Sequence, residues 1–123
     1  MKLRIRGNSV RFRLAKSELE QISEAGFAED AVQFPSGPAL RYRVEVSRNG
    51  TLAASFTSSL VKVTVPEAEV RRWLDPKEVS IRGEQPLDGG GTLKILVEKD
   101  FECLVPRPDE DSGDLFENPR SRR

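Results

Sequence analysis

Lys2, Arg4, Arg6, Arg11, Arg13 and Lys16 fall within the first sixteen residues with no acid among them, a local charge of +6. Guanidinium and ammonium groups at that density grip phosphate or carboxylate oxygens. Near the other end, Glu98, Asp100 and Glu102 recur at every second position, and residues 98–117 carry eight acids against Lys99 and Arg107, a charge of −6. Three arrangements follow. The two rows meet inside one molecule and neutralise each other, or solvent and salt screen the cations. In the third, Lys2, Arg4, Arg11 and Arg13, joined by Arg41 and Arg43, bind an external anion or an acidic partner. The chain's formal charge of zero favours the internal pairing. An enzyme can be built from the same parts: Glu98, Asp100 and Glu102 would hold Mg²⁺ while Arg4, Arg11 and Arg13 hold a phosphoryl group, as metal-assisted hydrolysis requires. Carboxylates spaced i, i+2 on a strand are more often structural. A cofactor-free, non-enzymatic module is therefore preferred to a metal-dependent phosphohydrolase or phosphate-binding protein.

The rest of the composition removes chemistry. The chain has no histidine and one cysteine, which excludes Ser-His-Asp and Cys-His nucleophiles, histidine metal sites, zinc ribbons and a redox pair. Cys103 follows the acidic row and reads as an inert packed thiol. Gly89-Gly90-Gly91 lacks the Lys-Ser/Thr ending of a phosphate loop and reads as a plain turn. The run from Asp109 to Asp114 places its glycine one position early for a calcium loop and has Arg120 where the closing acid belongs. Neutral overall charge and poor aromatic interleaving disfavour nucleic acid as a partner. No apolar stretch approaches the roughly 18 residues of a membrane helix. With no signal-like leader, the cytoplasm is the default location.

The elements that must position these groups are legible as alternation. Lys2–Arg6 and Val10–Leu14 each alternate, and Gly7-Asn8 between them suits a two-residue hairpin turn. That register sets Leu3 against Phe12 on one face and Arg4 against Arg11 on the other. Like charges so opposed cost about 0.2–1 kcal/mol per pair, so the basic face needs compensation. Ser17 with Glu20 has the capping-box pattern, and Gly26 suits a left-handed stop, which predicts a helix over residues 17–25. Ala31–Phe34, Leu40–Ser47, Leu60–Val65, Val79–Arg82 and Thr92–Phe101 read as strands. Leu40–Ser47 is predicted to turn back through Arg48-Asn49-Gly50, pairing Val46 with Leu52, Val44 with Ala54 and Tyr42 with Phe56. A second helix follows Pro66, with Val70, Trp73 and Leu74 on its apolar side. "VRFRLAKSELEQI" and "VKVTVPEAEVRRW" echo each other, most simply as two alternating strands each followed by an amphipathic helix. An internal duplication is the less favoured explanation.

At 123 residues the chain is one domain. The pattern predicts an α+β fold: a curved, mainly antiparallel sheet of seven or eight short strands with two short helices, open or barrel-like. The domain is expected over residues 1–104, and residues 105–123 as an acidic, largely disordered tail. Taken together, "KLRIRGNSVRFRL", "LKILVEKDFECL" and "DLFENP" resemble a family of short uncharacterised bacterial proteins with no assigned activity. The resemblance implies a bacterial, intracellular origin and carries over no catalytic residue, ligand or cofactor.

Overall fold

β1 (Lys2–Arg6) and β2 (Ser9–Leu14) form the hairpin that their alternation dictates, with Lys2 opposite Arg13, Leu3 opposite Phe12 and Arg4 opposite Arg11. Gly7 takes the positive φ that its turn needs, at 54°. The computed structural model describes residues 1–48 and 50–100. After the hairpin come α1 (Lys16–Ala25), β3 (Phe27–Val32), β4 (Leu40–Ser47), β5 (Ala53–Thr57), β6 (Leu60–Pro66), α2 (Glu67–Trp73), β7 (Ser80–Pro86) and β8 (Thr92–Lys99).

Two four-stranded sheets result, in the orders β1-β2-β8-β7 and β3-β4-β6-β5, and they do not close into a barrel. Each sheet has a parallel central pair, β2 with β8 and β4 with β6, flanked by antiparallel edges. The α+β class and two helices therefore stand, while the single mainly antiparallel sheet is corrected to two mixed sheets. The decisive departure is at β4. Its predicted hairpin with β5 does not form; β6 lies between them, so Ala54 faces Val63 and Phe56 faces Val61. Val63 and Val65 of β6 are fully buried, whereas Ser55, Phe56 and Thr57 of β5 are exposed. The more apolar strand takes the central place and the polar one the edge, as burial and edge protection require. Asn49 of the predicted turn lies outside the described residues.

Smaller corrections have local causes. α1 is capped two residues before the predicted Ser17: Ala15 is extended, offers no side-chain cap, and its N–H donates to Glu18 Oε1 at 2.9 Å. β3 begins at Phe27 instead of Ala31, because the chain leaves Gly26 (φ 90°) directly into pairing with β4. β7 runs on to Pro86, and β8 ends at Lys99.

The echo in the sequence is a repeat of structure. Adding 51 turns Lys2 opposite Arg13 into Ala53 opposite Thr64, and Arg6 opposite Ser9 into Thr57 opposite Leu60. Beyond the helices the shift is 53, and Phe27 opposite Glu45 becomes Ser80 opposite Glu98. Isolated bonds repeat too: Arg41 N to Ser59 O (2.9 Å) matches Lys94 N to Asn8 O (3.1 Å), and Val46 N to Gly26 O (2.8 Å) matches Lys99 N to Val79 O (3.0 Å). One ββαββ plan is thus used twice. Each half gives one hairpin to each sheet, and its helix carries the chain across.

The inner faces of both sheets and the helices share one core, which includes Phe12, Leu14, Ile22, Val44, Val63, Trp73, Ile95 and Val97. Trp73 is wholly buried and its Nε1–H donates to Val79 O at 3.0 Å. Its place on the apolar side of α2 is as predicted. Lys99 also points inward, and its Nζ donates to Asp75 O at 2.9 Å, just beyond the carbonyl end of α2. Burial pushes its pKa down, against the opposing pull of Asp75 and Glu78.

The repeat exposes one strained position. The turn matching Gly7-Asn8 is Ser58-Ser59, with φ of 50° and 61°. Left-handed backbone costs non-glycine residues roughly 1–2 kcal/mol, and Asn-Gly is the pair suited to two such angles. Ser58→Asn with Ser59→Gly is expected to stabilise the protein by about 1 kcal/mol, read as a higher midpoint of chemical denaturation at unchanged slope.

Candidate anion-binding site

Strand alternation gives the first sheet a solvent face of three cross-strand rungs. The first is Lys2, Arg13, Glu98 and Ser80; the second Arg4, Arg11, Leu96 and Arg82; the third Arg6, Ser9, Lys94 and Glu84. Two strands remote in the chain, β2 and β8, had to become neighbours for the basic row to meet an acid.

The meeting is partial. On the first rung Glu98 Oε1 lies 2.6 Å from Arg13 Nε and reaches back to Arg11 Nε at 3.4 Å. Lys2 Nζ lies 2.9 Å from Asp100 Oδ2, just past the end of β8. Such half-exposed pairs are worth about 0–1 kcal/mol each, so their effect is on charge placement more than on stability. Apart from Arg11, the second and third rungs lack this compensation among the described residues. Arg4, Arg6, Arg82 and Lys94 have no side-chain hydrogen bond or ion pair among the described residues. With Arg11 they line a groove of about 460 Å³, floored by Leu96, in which Glu84 is the one acid among the described lining residues. That volume is within the range of about 300–1,000 Å³ typical of small-molecule sites.

The second sheet supplies an internal comparison. Arg41 and Arg43 lie on its solvent face, away from the groove, in a closed network. Glu29 Oε1 is 2.8 Å from Arg43 Nε and 3.7 Å from Arg41 Nη1. Glu45 Oε1 is 2.8 Å from Arg43 Nη1, and its Oε2 is 4.0 Å from Lys62 Nζ. The Arg43 guanidinium also sits 4.3 Å from the centre of the Phe27 ring. Its hydrogen bonds, to Glu45 first and then Glu29, raise its pKa. By the repeat, Glu45 corresponds to Glu98, Lys62 to Arg11 and Arg41 to Lys94. Glu29, however, corresponds to Arg82, and Arg43 to Leu96. The acid at the centre of the network has become a cation, and the central arginine a leucine. Those two differences open the first sheet's face where the second sheet's is closed.

Of the sequence candidates, Arg4 and Arg11 therefore line the groove, Lys2 and Arg13 are engaged by carboxylates, and Arg41 and Arg43 belong to the other sheet. Arg6, Arg82 and Lys94 were not among the candidates. Arg6 shares the alternation of Lys2 and Arg4, a signal open to inspection; Arg82 and Lys94 join the site only through strand pairing. Of the proposed Mg²⁺ ligands, Glu98 faces Arg11 and Arg13, Asp100 faces Lys2, and Glu102 lies outside the described residues. Among the described residues no three acidic, cysteine or histidine side chains are grouped to hold a metal. Gly89-Gly90-Gly91 belongs to the β7–β8 turn, closed by Leu87 N to Gly91 O at 3.1 Å. Cys103, the Asp109–Asp114 run and the 104/105 division lie outside the described residues. Among the described residues no helix is long and apolar enough to cross a membrane.

A family model described as a family of unknown function, DUF7009, matches residues 1–120. The chain belongs to this family. No curated protein and no solved structure matches it. Membership of DUF7009 agrees with the uncharacterised family that the sequence segments resemble and supplies no activity. Function in this DUF7009 protein must be argued from the face itself.

Proposed function

We propose that the protein is a non-catalytic binding module whose ligand is a small phosphate-bearing anion held on the solvent face of the first sheet. One observation carries this reading: four cations without side-chain partners among the described residues surround a groove, while the neighbouring rung and the matching face of the other sheet are paired to carboxylates. Desolvated or hydrogen-bonded charge is where binding strength resides, and Arg presents a planar fork suited to phosphate oxygens. A structural face would keep the acid at position 82 that its counterpart keeps at Glu29. The expectation that all of the basic row is satisfied internally is thereby narrowed to its first rung.

The test is calorimetry and thermal denaturation with inorganic phosphate, pyrophosphate and tripolyphosphate at low ionic strength, with and without Mg²⁺. Pyrophosphate is expected to raise the melting temperature without Mg²⁺, by an amount that shrinks as salt screens the groove. Silence across the three anions would sink the reading. Release of inorganic phosphate that depends on Mg²⁺ would replace it with the phosphohydrolase alternative.

A further inference from the structure

The groove is not uniformly charged, and its asymmetry points to the kind of anion it takes. Arg4, Arg6 and Arg11 occupy the β1–β2 side, where no acid among the described residues lines the groove. Toward β7 the lining changes. Leu96 forms the middle of the second rung, half-buried on a solvent face, with Arg11 opposite it on one strand and Arg82 opposite it on the other. Glu84 stands at the β7 edge, opposite Lys94. A bare polyphosphate has no use for a leucine floor and is repelled by a carboxylate. Guanidinium planes flanking an apolar floor are suited to a flat ring, because arginine stacks on planar π-systems. A carboxylate at the far end accepts hydrogen bonds from the N–H groups of a base edge, as acidic residues do from base amino groups.

We infer that the ligand of this groove is a nucleotide, with its phosphates toward Arg4 and Arg6, its base over Leu96 between Arg11 and Arg82, and the N–H groups of the base edge toward Glu84. This rests on the anion-binding reading and specifies it. The other sheet is consistent with it: where Leu96 stands here, Arg43 stands there, paired on both sides and offering no apolar floor.

Titration of the full chain with ADP and with pyrophosphate at matched ionic strength separates the two levels. ADP is expected to bind at least about ten-fold more tightly than pyrophosphate, a difference that one modest apolar contact supplies. Leu96→Thr is expected to lower ADP affinity about ten-fold and leave pyrophosphate within about two-fold, since it alters no charge. Glu84→Gln should weaken ADP while strengthening pyrophosphate. Equal affinities for ADP and pyrophosphate overturn the nucleotide assignment and leave the anion site standing. Binding of neither overturns both. A single-stranded oligonucleotide that binds more tightly than ADP transfers the groove to nucleic acid, which also overturns the assignment.

Discussion

Trp73→Ala is expected to destabilise the protein by about 3–5 kcal/mol, the largest effect of any single core truncation here. The side chain is wholly buried at the end of α2, and its indole N–H satisfies the Val79 carbonyl at 3.0 Å. Truncation leaves a cavity and removes one of the two donors to that carbonyl, which keeps the Lys99 N–H at 3.0 Å. The first half of the molecule puts the smaller Ile22 at the equivalent place, also buried, so the two ends of the core are not filled alike. Domains of this size have about 5–15 kcal/mol in total, so the variant should lie close to the unfolding threshold. The measurement is thermal denaturation, with an expected fall of roughly 20 °C. Trp73→Phe should recover about half of it or more, lacking the hydrogen bond, worth about 1 kcal/mol, and leaving a smaller cavity. A fall of only a few degrees for the alanine variant would mean that the tryptophan does not occupy the core.

The largest functional effect is expected from Arg82→Glu. It installs on the first sheet the acid that Glu29 provides on the second, within reach of the position that Lys94 shares with Arg41. The groove loses one cation and gains one anion, and pyrophosphate affinity should fall about 100-fold, the scale of one charge-assisted hydrogen bond. Stability should change by less than about 0.5 kcal/mol, because position 82 is exposed and lies at an edge strand. Arg43→Gln, which interrupts the closed network on the other sheet, should leave the affinity within about two-fold. Calorimetry and a denaturation curve on the same samples decide the matter. Unaltered affinity in Arg82→Glu would remove the groove from consideration as the anion site.

The surface cations differ in kind once the pairing is known. Glu98 serves both Arg13 and Arg11, so the row that reads as uniform along the chain is divided in space between a neutralised end and an open one. Nothing in the spacing of Lys2, Arg4, Arg6, Arg11 and Arg13 marks that division. It depends on where β8 stops and on which residues of β8 carry acids.

Local physics was readable without coordinates. Alternation assigned the faces of β1, β2 and β4, the Gly7-Asn8 turn set the first hairpin's register, and Gly26 ended α1, because each depends on residues close together in the chain. Which strand lies beside which was not readable, since alternation determines a face and says nothing of a neighbour. Leu40–Ser47 and Ala53–Thr57 have patterns that would pair well, yet the better-buried Leu60–Pro66 separates them, a competition settled only when all strands bid for the same core. The candidate site shows the same limit. Arg4 and Arg11 follow from one hairpin, whereas Arg82 and Lys94 come to it across parallel pairing between strands some 85 residues apart, as with Arg13 and Glu98. The sequence by itself determined the first hairpin, the two helices and the cluster of cations in the first sixteen residues. The tertiary structure decided which of those cations meet a carboxylate, because charge compensation acts over a few ångströms and is blind to distance along the chain.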